Sequence, residues 1–128
     1  SIAKNQETDV LVELIDILPT ITDMANVSNE IDISGESFTH VLRNPELEHK
    51  NQIYSRFKAG DSVVSKDYIY TLYETENNTT EEMLFDLDKD PDETNNIASD
   101  PNYLDVKSKL YKLLTTCMRE LECKTKWK

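Results

Sequence analysis

The sequence predicts an α+β fold, in which a small four-stranded antiparallel sheet is covered by a long C-terminal helix and preceded by a separate helix. Short runs rich in β-branched and aromatic residues lie between residues 52 and 87 and are separated by turn residues, a pattern typical of hairpins. Apolar residues at helical spacing follow the strands from residue 106 to residue 121, and a second such pattern precedes them between residues 11 and 25. These elements suffice for one modest hydrophobic core.

The first element is an amphipathic helix, predicted over about residues 12–26. Pro19 is tolerated in a first helical turn, where no backbone hydrogen bond is lost. We therefore expect the main helical segment to begin near Asp16, a candidate N-cap, with strand-like or kinked chain before it. The apolar positions that keep helical spacing are Leu11, Leu14, Ile15, Leu18, Ile21 and Ala25.

A loop and a short second helix connect this segment to the strands. Gly35 indicates a turn, and residues 37–43 are predicted to be helical. Asn44-Pro45 ends that helix, because the residue before a proline avoids the helical conformation. The charged stretch after it is typical of a solvated loop.

Four strands are predicted, over residues 52–57, 62–65, 68–73 and 83–87. Turns are expected at Gly60-Asp61 and Lys66-Asp67, and residues 74–82 are expected to form a polar tip.

The last element is a helix predicted over about residues 101–122. Asp100 is a candidate N-cap and Pro101 suits the first helical position. The predicted apolar stripe consists of Val106, Leu110, Leu113, Leu114, Cys117 and Leu121.

Composition excludes several classes of function. The net charge is −11, whereas a protein that binds nucleic-acid backbones needs a basic face. No run approaches the roughly 18 apolar residues of a membrane span, and no signal-peptide pattern occurs. The two cysteines and two histidines lack zinc-ligand spacing, so a metal site within this chain is not expected.

The acidic stretch from Asp86 to Glu93 suggests Ca²⁺ binding at first sight. An EF-hand needs glycine at its sixth position and glutamate at its twelfth, but counting from Asp86 these are Pro91 and Ile97. A turn whose side chains bond local backbone amides is the favoured interpretation. No residue of the chain is a candidate catalyst, because His40 has no local nucleophile to serve and Cys117 belongs to the apolar stripe.

Arg56 and Lys58 are a candidate anion-binding pair. On a continuous strand, residues two apart project to the same side, so their cations could together hold a sulfate or a carboxylate. The alternative is an ordinary solvated face.

Four segments in order resemble the sulfatase family, specifically its iduronate sulfatase branch. Val12-Glu13-Leu14-Ile15-Asp16-Ile17-Leu18-Pro19-Thr20 is similar to the "LVDLxPT" helix, and Gly35-Glu36-Ser37-Phe38 is similar to the "DGxSL" segment. Ile53-Tyr54-Ser55-Arg56-Phe57 resembles a strand of the branch, although Phe57-Lys58 replaces its common Tyr-Pro. The resemblance places this strand near the cleft, which makes Arg56 and Lys58 the candidate contacts to an anionic saccharide substrate. Met83-Leu84-Phe85-Asp86-Leu87, followed by Asp90-Pro91-Asp92-Glu93-Thr94 and Asn96-Ile97-Ala98, matches the "LYDLxxDPxExxNLA" ending.

This resemblance implies a particular division of the chain. Residues 1–50 would be the C-terminal edge of the large α/β sulfatase domain, and residues 51–128 the small C-terminal subdomain. The family residues that carry over are turn formers rather than catalysts: Asp90, Pro91, Glu93 and Asn96.

The resemblance also implies that the catalytic centre lies elsewhere. The family places its formylglycine motif (Cys-x-Pro-x-Arg), its Ca²⁺-binding aspartates and its catalytic Lys and His upstream of the "LVDLxPT" helix. None of these motifs occurs here, since Cys117 is followed by Met118 and Arg119. We therefore expect no cofactor in this chain, and Ca²⁺ and formylglycine in an upstream domain that would be its partner.

The expected function is that of a C-terminal sulfatase fragment, inactive alone, that contributes structure and a wall of the substrate cleft to an enzyme acting on a sulfated glycan such as a glycosaminoglycan. The resemblance implies a periplasmic, secreted or lysosome-like parent protein. Two alternatives stay open: an independent acidic interaction module, and a fragment of a related phosphodiester or phosphonate hydrolase. The fragment hypothesis expects Leu11, Leu14, Ile15 and Ile21 to be exposed, whereas the module hypothesis expects residues 9–26 to be buried.

Overall fold

The structure, a computed structural model, describes residues 2–27, 34–75, 77 and 79–125, with only the helical backbone for 120–125. The chain divides into two compact units, Ser1–Ile53 and Tyr54–Lys128. The predicted fold class is confirmed, because four antiparallel strands are followed by a long C-terminal helix.

The first unit contains two short helices. A 3-10 turn, Leu14–Asp16, leads into helix α1, Ile17–Met24, and helix α2 covers Thr39–Arg43. Pro19 is the third residue of α1, a position at which the backbone amide has no partner within the helix. The predicted strand-like start is present as an isolated antiparallel bridge between Leu11 and Lys50.

The expectation that Asp16 caps α1 is wrong. Asp16 has helical backbone angles, and its side chain makes no capping hydrogen bond to α1. Its carboxylate instead accepts hydrogen bonds from the amides of Glu13 and Glu36. The Asp16 carboxylate, which would have accepted an amide of α1 as a cap, therefore accepts the amide of Glu36 instead.

The second part of the chain is a meander of four strands in the order β1-β2-β3-β4. β1 is Gln52–Phe57, β2 is Gly60–Ser65, β3 is Tyr68–Glu74 and β4 is Thr80–Asp86. β1 has the predicted bounds, whereas β2 and β4 both begin earlier than predicted.

The turn between β1 and β2 is Lys58-Ala59, so the prediction of a turn at Gly60-Asp61 is wrong. Gly60 pairs with Tyr73 in the ladder, and a Cβ on Gly60 would lie 2.5 Å from the Tyr73 ring. Gly60 is therefore required because the Tyr73 ring packs closely against it, and it does not form the turn.

The polar tip is also shorter than predicted. Glu74 pairs with Thr80, so the β3–β4 ladder extends into residues whose polarity suggested a loop. These positions are exposed, and an exposed strand end needs no apolar face.

The C-terminal helix covers the sheet and completes the core. A 3-10 turn, Pro101–Tyr103, precedes helix α3, Leu104–Thr125, and the predicted N-cap is confirmed because Asp100 accepts a hydrogen bond from the amide of Asn102 at 2.9 Å. The buried core cluster consists of Val63, Tyr70, Leu84, Ala98, Leu110 and Leu114. Among the described residues, no helix is both long and apolar enough to cross a membrane.

Candidate functional site

The β1–β2 hairpin carries the predicted substrate-contact residues, and its basic residue Arg56 is fixed by a buried acid. Arg56 donates to Asp61 through Nε at 2.6 Å and through Nη2 at 3.2 Å. Tyr54, on the same face of β1, donates its hydroxyl to the same carboxylate. The pKa of Tyr54 is raised to about 12, chiefly by burial and secondly by its hydrogen bond to the Asp61 carboxylate. The hydroxyl is therefore protonated and donates at neutral pH.

Lys58 does not share this arrangement. β1 ends at Phe57, so Lys58 lies in the turn, and its φ of 54° is in the left-handed region. Its ammonium lies 5.4 Å from the centroid of the Phe57 ring. Alternation along β1 places Phe57 on the face opposite Arg56. The expectation that Arg56 and Lys58 project together from one strand is therefore wrong.

The loop after β4 contains the predicted turn residues. Asp90 accepts hydrogen bonds from the amides of Thr94 and Asn95 at 3.1 and 2.8 Å, and these bonds lower the pKa of its carboxyl. Glu93 has a φ of 54°, which turns the chain. Asn96 accepts from the amide of Leu84 at 3.0 Å and so ties the loop to β4.

A cavity of about 290 Å³ lies beside this loop. Its floor is the buried carboxylate of Asp86, which accepts from Lys89 Nζ at 2.7 Å and from the Tyr103 hydroxyl at 3.0 Å. The hydrogen bond from Lys89 lowers the pKa of Asp86. Because these polar groups form hydrogen bonds with one another, the cluster stabilises the fold.

The first unit contains a buried polar cluster that sequence reasoning missed. Asp16 is fully buried, and its Oδ1 accepts from Lys50 Nζ at 2.7 Å, while Lys50 also donates to Glu13 at 2.6 Å. Burial alone would raise the pKa of Asp16, but the bonds from Lys50, Glu36 and Glu13 outweigh it and leave the pKa below its ordinary value. His49 Nε2 lies 3.8 Å from Asp16 Oδ2 and has no hydrogen-bond partner within the described part of the chain.

These clusters hold the fold and offer no constellation for hydrolysis. Within residues 2–27, 34–75, 77 and 79–125, no group of three or more His, Cys, Asp or Glu side chains is placed to hold a metal ion. Of the three buried carboxylates described above, Asp86 and Asp16 are each neutralised by a lysine, and Asp61 is neutralised by Arg56. The described residues therefore do not fit a Ca²⁺ site.

Comparison with known families identifies the chain. The family described as N-sulphoglucosamine sulphohydrolase, C-terminal, matches residues 1–120. The chain belongs to this sulfatase family. The resemblance to a sulfatase C-terminal region is thereby confirmed, while the assignment to the iduronate sulfatase branch stays a prediction. Sulfatases generally use Ca²⁺ and a formylglycine in their catalytic domain, and the described part of this C-terminal region supplies neither.

Two curated relatives have sulfatase names. An arylsulfatase of Clostridium perfringens is 30% identical over 122 residues, covering 93% of this chain and 24% of the relative. A Delta 4,5-hexuronate-2-O-sulfatase of Bacteroides thetaiotaomicron is 33% identical over 99 residues, covering 70% of this chain and 20% of the relative. The chain thus spans about a quarter or less of the length of these relatives.

Solved structures share the fold. A 2-O GAG sulfatase matches with a TM-score of 0.66 and 30% identity over 82% of this chain and 24% of that structure. A structure in complex with its substrate D-glucosamine-2-N,6-O-disulfate matches with a TM-score of 0.70 and 24% identity, covering 84% of this chain and 24% of that one. A phosphonate monoester hydrolase of Agrobacterium radiobacter matches with a TM-score of 0.62 and 20% identity, covering 82% and 24%, so the fold alone does not decide the ester.

Proposed function

We propose that this chain is the C-terminal part of a sulfatase that hydrolyses sulfate esters of a sulfated glycan, with an iduronate sulfatase-like substrate. In this proposal it contributes structure and one wall of the substrate cleft, and an upstream domain contributes the catalytic centre. The observation that carries the proposal is the family match over residues 1–120 of a chain that has no Cys-x-Pro-x-Arg segment. Sulfate-ester hydrolysis needs an activated nucleophile, a metal and a proton donor, and the upstream domain would supply all three.

The exposed apolar surface around α1 supports an upstream domain as the partner. Leu14 is 86% exposed, and Ile15 and Ile21 are exposed to 50% and 56%. Apolar side chains clustered in this way favour burial against another protein surface. The interaction-module alternative expected residues 9–26 to be buried within the chain, and these exposures speak against it. Leu11, which the fragment hypothesis also expected to be exposed, is half-buried where it pairs with Lys50.

The relatives support a saccharide substrate. One is named for a hexuronate 2-O-sulfate, and one structural match at 30% identity is named for a 2-O sulfated glycosaminoglycan. The β1–β2 hairpin that carries Arg56 and Lys58 stays the predicted region of contact to an anionic saccharide. The phosphonate hydrolase alternative has the support of a shared fold alone. As expected from the family resemblance, we propose a periplasmic, secreted or lysosome-like location for the parent protein.

The complete protein, expressed from its gene, tests this proposal. We expect the region upstream to contain a Cys/Ser-x-Pro-x-Arg segment, and we expect the protein to release sulfate from a 2-O-sulfated unsaturated disaccharide. A matched phosphonate monoester is the control substrate. An upstream region without that segment, or hydrolysis of the phosphonate in place of the sulfate ester, would overturn the proposal.

A further inference from the structure

We propose that Phe57 and Lys58, at the tip of the β1–β2 hairpin, form the direct contact to the sulfated saccharide, and that Arg56 is a positioning residue. This inference rests on the proposed function, from which it takes the substrate class. It adds an aromatic contact and divides the two basic residues between different tasks.

Arg56 already forms hydrogen bonds within the β1–β2 hairpin. Two of its guanidinium nitrogens donate to Asp61, whose carboxylate also receives the hydroxyl of Tyr54. Asp61 is buried, so a ligand anion that drew Arg56 away would leave a buried carboxylate with fewer donors. This cluster joins β1 to β2 and fixes the direction in which the tip points.

Lys58 is a free cation by comparison. Within the described part of the chain its ammonium makes no hydrogen bond or ion pair. The ammonium lies over the Phe57 ring, 5.4 Å from the ring centroid. In a chain with a net charge of −11, such a cation is available to a sulfate or carboxylate group.

Phe57 is 72% exposed, which is a large exposure for an aromatic side chain. An aromatic face packs against the apolar C–H face of a sugar ring, while a neighbouring cation binds an anionic substituent of the same sugar. The pair therefore offers both parts of a contact to a sulfated saccharide.

The backbone at the tip holds Lys58 in a conformation that favours glycine. Lys58 has a φ of 54°, a region in which glycine is unstrained and lysine is not. Strain of this kind persists where surrounding structure holds it, and here the amide of Glu74 donates to the carbonyl of Ala59 at 3.0 Å. A positive φ is usual in a two-residue hairpin turn, so this conformation defines the shape of the tip and makes Lys58→Gly a substitution that the backbone accepts.

The test uses the complete enzyme and two substrates, a 2-O-sulfated disaccharide and 4-nitrophenyl sulfate, which lacks the sugar. We expect Lys58→Gln to raise KM for the disaccharide about three- to fivefold and Phe57→Ala to raise it more, with kcat little changed. KM for 4-nitrophenyl sulfate should not change. Lys66→Gln, in the exposed turn between β2 and β3, is the matched control and should leave both KM values unchanged.

Lys58→Gly separates binding from folding. This substitution relieves the left-handed strain, so it should not lower the melting temperature, yet it should weaken disaccharide binding as Lys58→Gln does. Arg56→Gln should lower the melting temperature through the loss of its hydrogen bonds to Asp61, and any rise in its disaccharide KM should accompany that loss of stability.

The outcomes distinguish this inference from the proposed function. Sulfate release with an unchanged disaccharide KM in Lys58→Gln and Phe57→Ala would overturn the inference and leave the proposed function standing. A raised disaccharide KM in Arg56→Gln without a loss of stability would also overturn it, because Arg56 would then be the contact. An enzyme that releases sulfate from neither substrate would overturn both.

Discussion

Replacing Asp16 with alanine tests the buried polar cluster of the first unit. The substitution removes the acceptor of three hydrogen bonds, from the amides of Glu13 and Glu36 and from the ammonium of Lys50, each between 2.7 and 2.8 Å. Removing one partner of a buried ion pair costs about 3–5 kcal/mol. Lys50 keeps its bond to Glu13, so we expect a value near the lower limit, about 3 kcal/mol.

Amide hydrogen exchange measures this loss locally. A loss of about 3 kcal/mol in opening free energy corresponds to exchange roughly a hundredfold faster, in peptides covering residues 13–24 and 34–50. Peptides from β3 and β4 serve as an internal reference. Asp23→Asn is the matched control, because Asp23 is an exposed acid on α1, the helix that follows Asp16, and its carboxylate accepts from the Ser37 hydroxyl. Unchanged protection in Asp16→Ala would refute the reasoning.

The same cluster predicts a pH dependence. The folded pKa of Asp16 lies below its ordinary value of 3.8, despite burial, because of the bonds from Lys50 and the two amides. A carboxyl with a depressed folded pKa contributes stability that is complete above its unfolded pKa and is lost as pH falls through the folded pKa. We therefore expect protection of these peptides to fall below about pH 4 in the native chain, and Asp16→Asn to remove that part of the acid sensitivity.

Three further substitutions test the packing elsewhere. Gly35→Ala would combine a φ of 99° with a Cβ placed 2.4 Å from the carbonyl oxygen of Ile15, so thermal unfolding should show a loss of about 3 kcal/mol. Tyr70→Phe removes the hydroxyl that donates to Glu82 at 2.5 Å, so it should lower the free energy of unfolding by about 1–2 kcal/mol and raise the pKa of Glu82. NMR titration measures that pKa, and an unchanged value would contradict the hydrogen bond. Asn96→Ala removes the two bonds that tie the loop to β4, one from the amide of Leu84 and one to the carbonyl of Glu82, and a third bond within the loop, from the amide of Ala98. It should cost about 2 kcal/mol in urea unfolding, whereas a neutral result would show that the loop is held in place without Asn96.

Local patterns predicted the elements that are covered on one face. Tyr70, Leu110 and Leu114 are in the core, because burial selects apolar residues at a fixed period along a strand or a helix. The side chain of Leu121, the last member of the predicted stripe of α3, lies outside the described residues. Asp100-Pro101 predicted the start of the last helix through capping, which depends on neighbouring residues alone.

Polar strand ends and long-range polar contacts could not be predicted in this way. Thr80 is in a strand because Glu74 is opposite it, and nothing in its own neighbourhood indicates this. The partnership of Arg56 with Asp61 depends on a turn at residues 58–59, whereas Gly60 suggested a turn two residues later. The bond between Asp16 and Lys50 joins residues 34 apart in sequence. Apolar periodicity carries no information on any of these contacts.

The measurement that tests the central claim most directly is sulfate release by the 128-residue chain compared with that by the complete protein, with 4-nitrophenyl sulfate and Ca²⁺ present in both. We expect turnover by the complete protein and none by the 128-residue chain, because this sequence contains no Cys-x-Pro-x-Arg segment to supply the nucleophile. Sustained turnover by the 128 residues on their own would contradict the account.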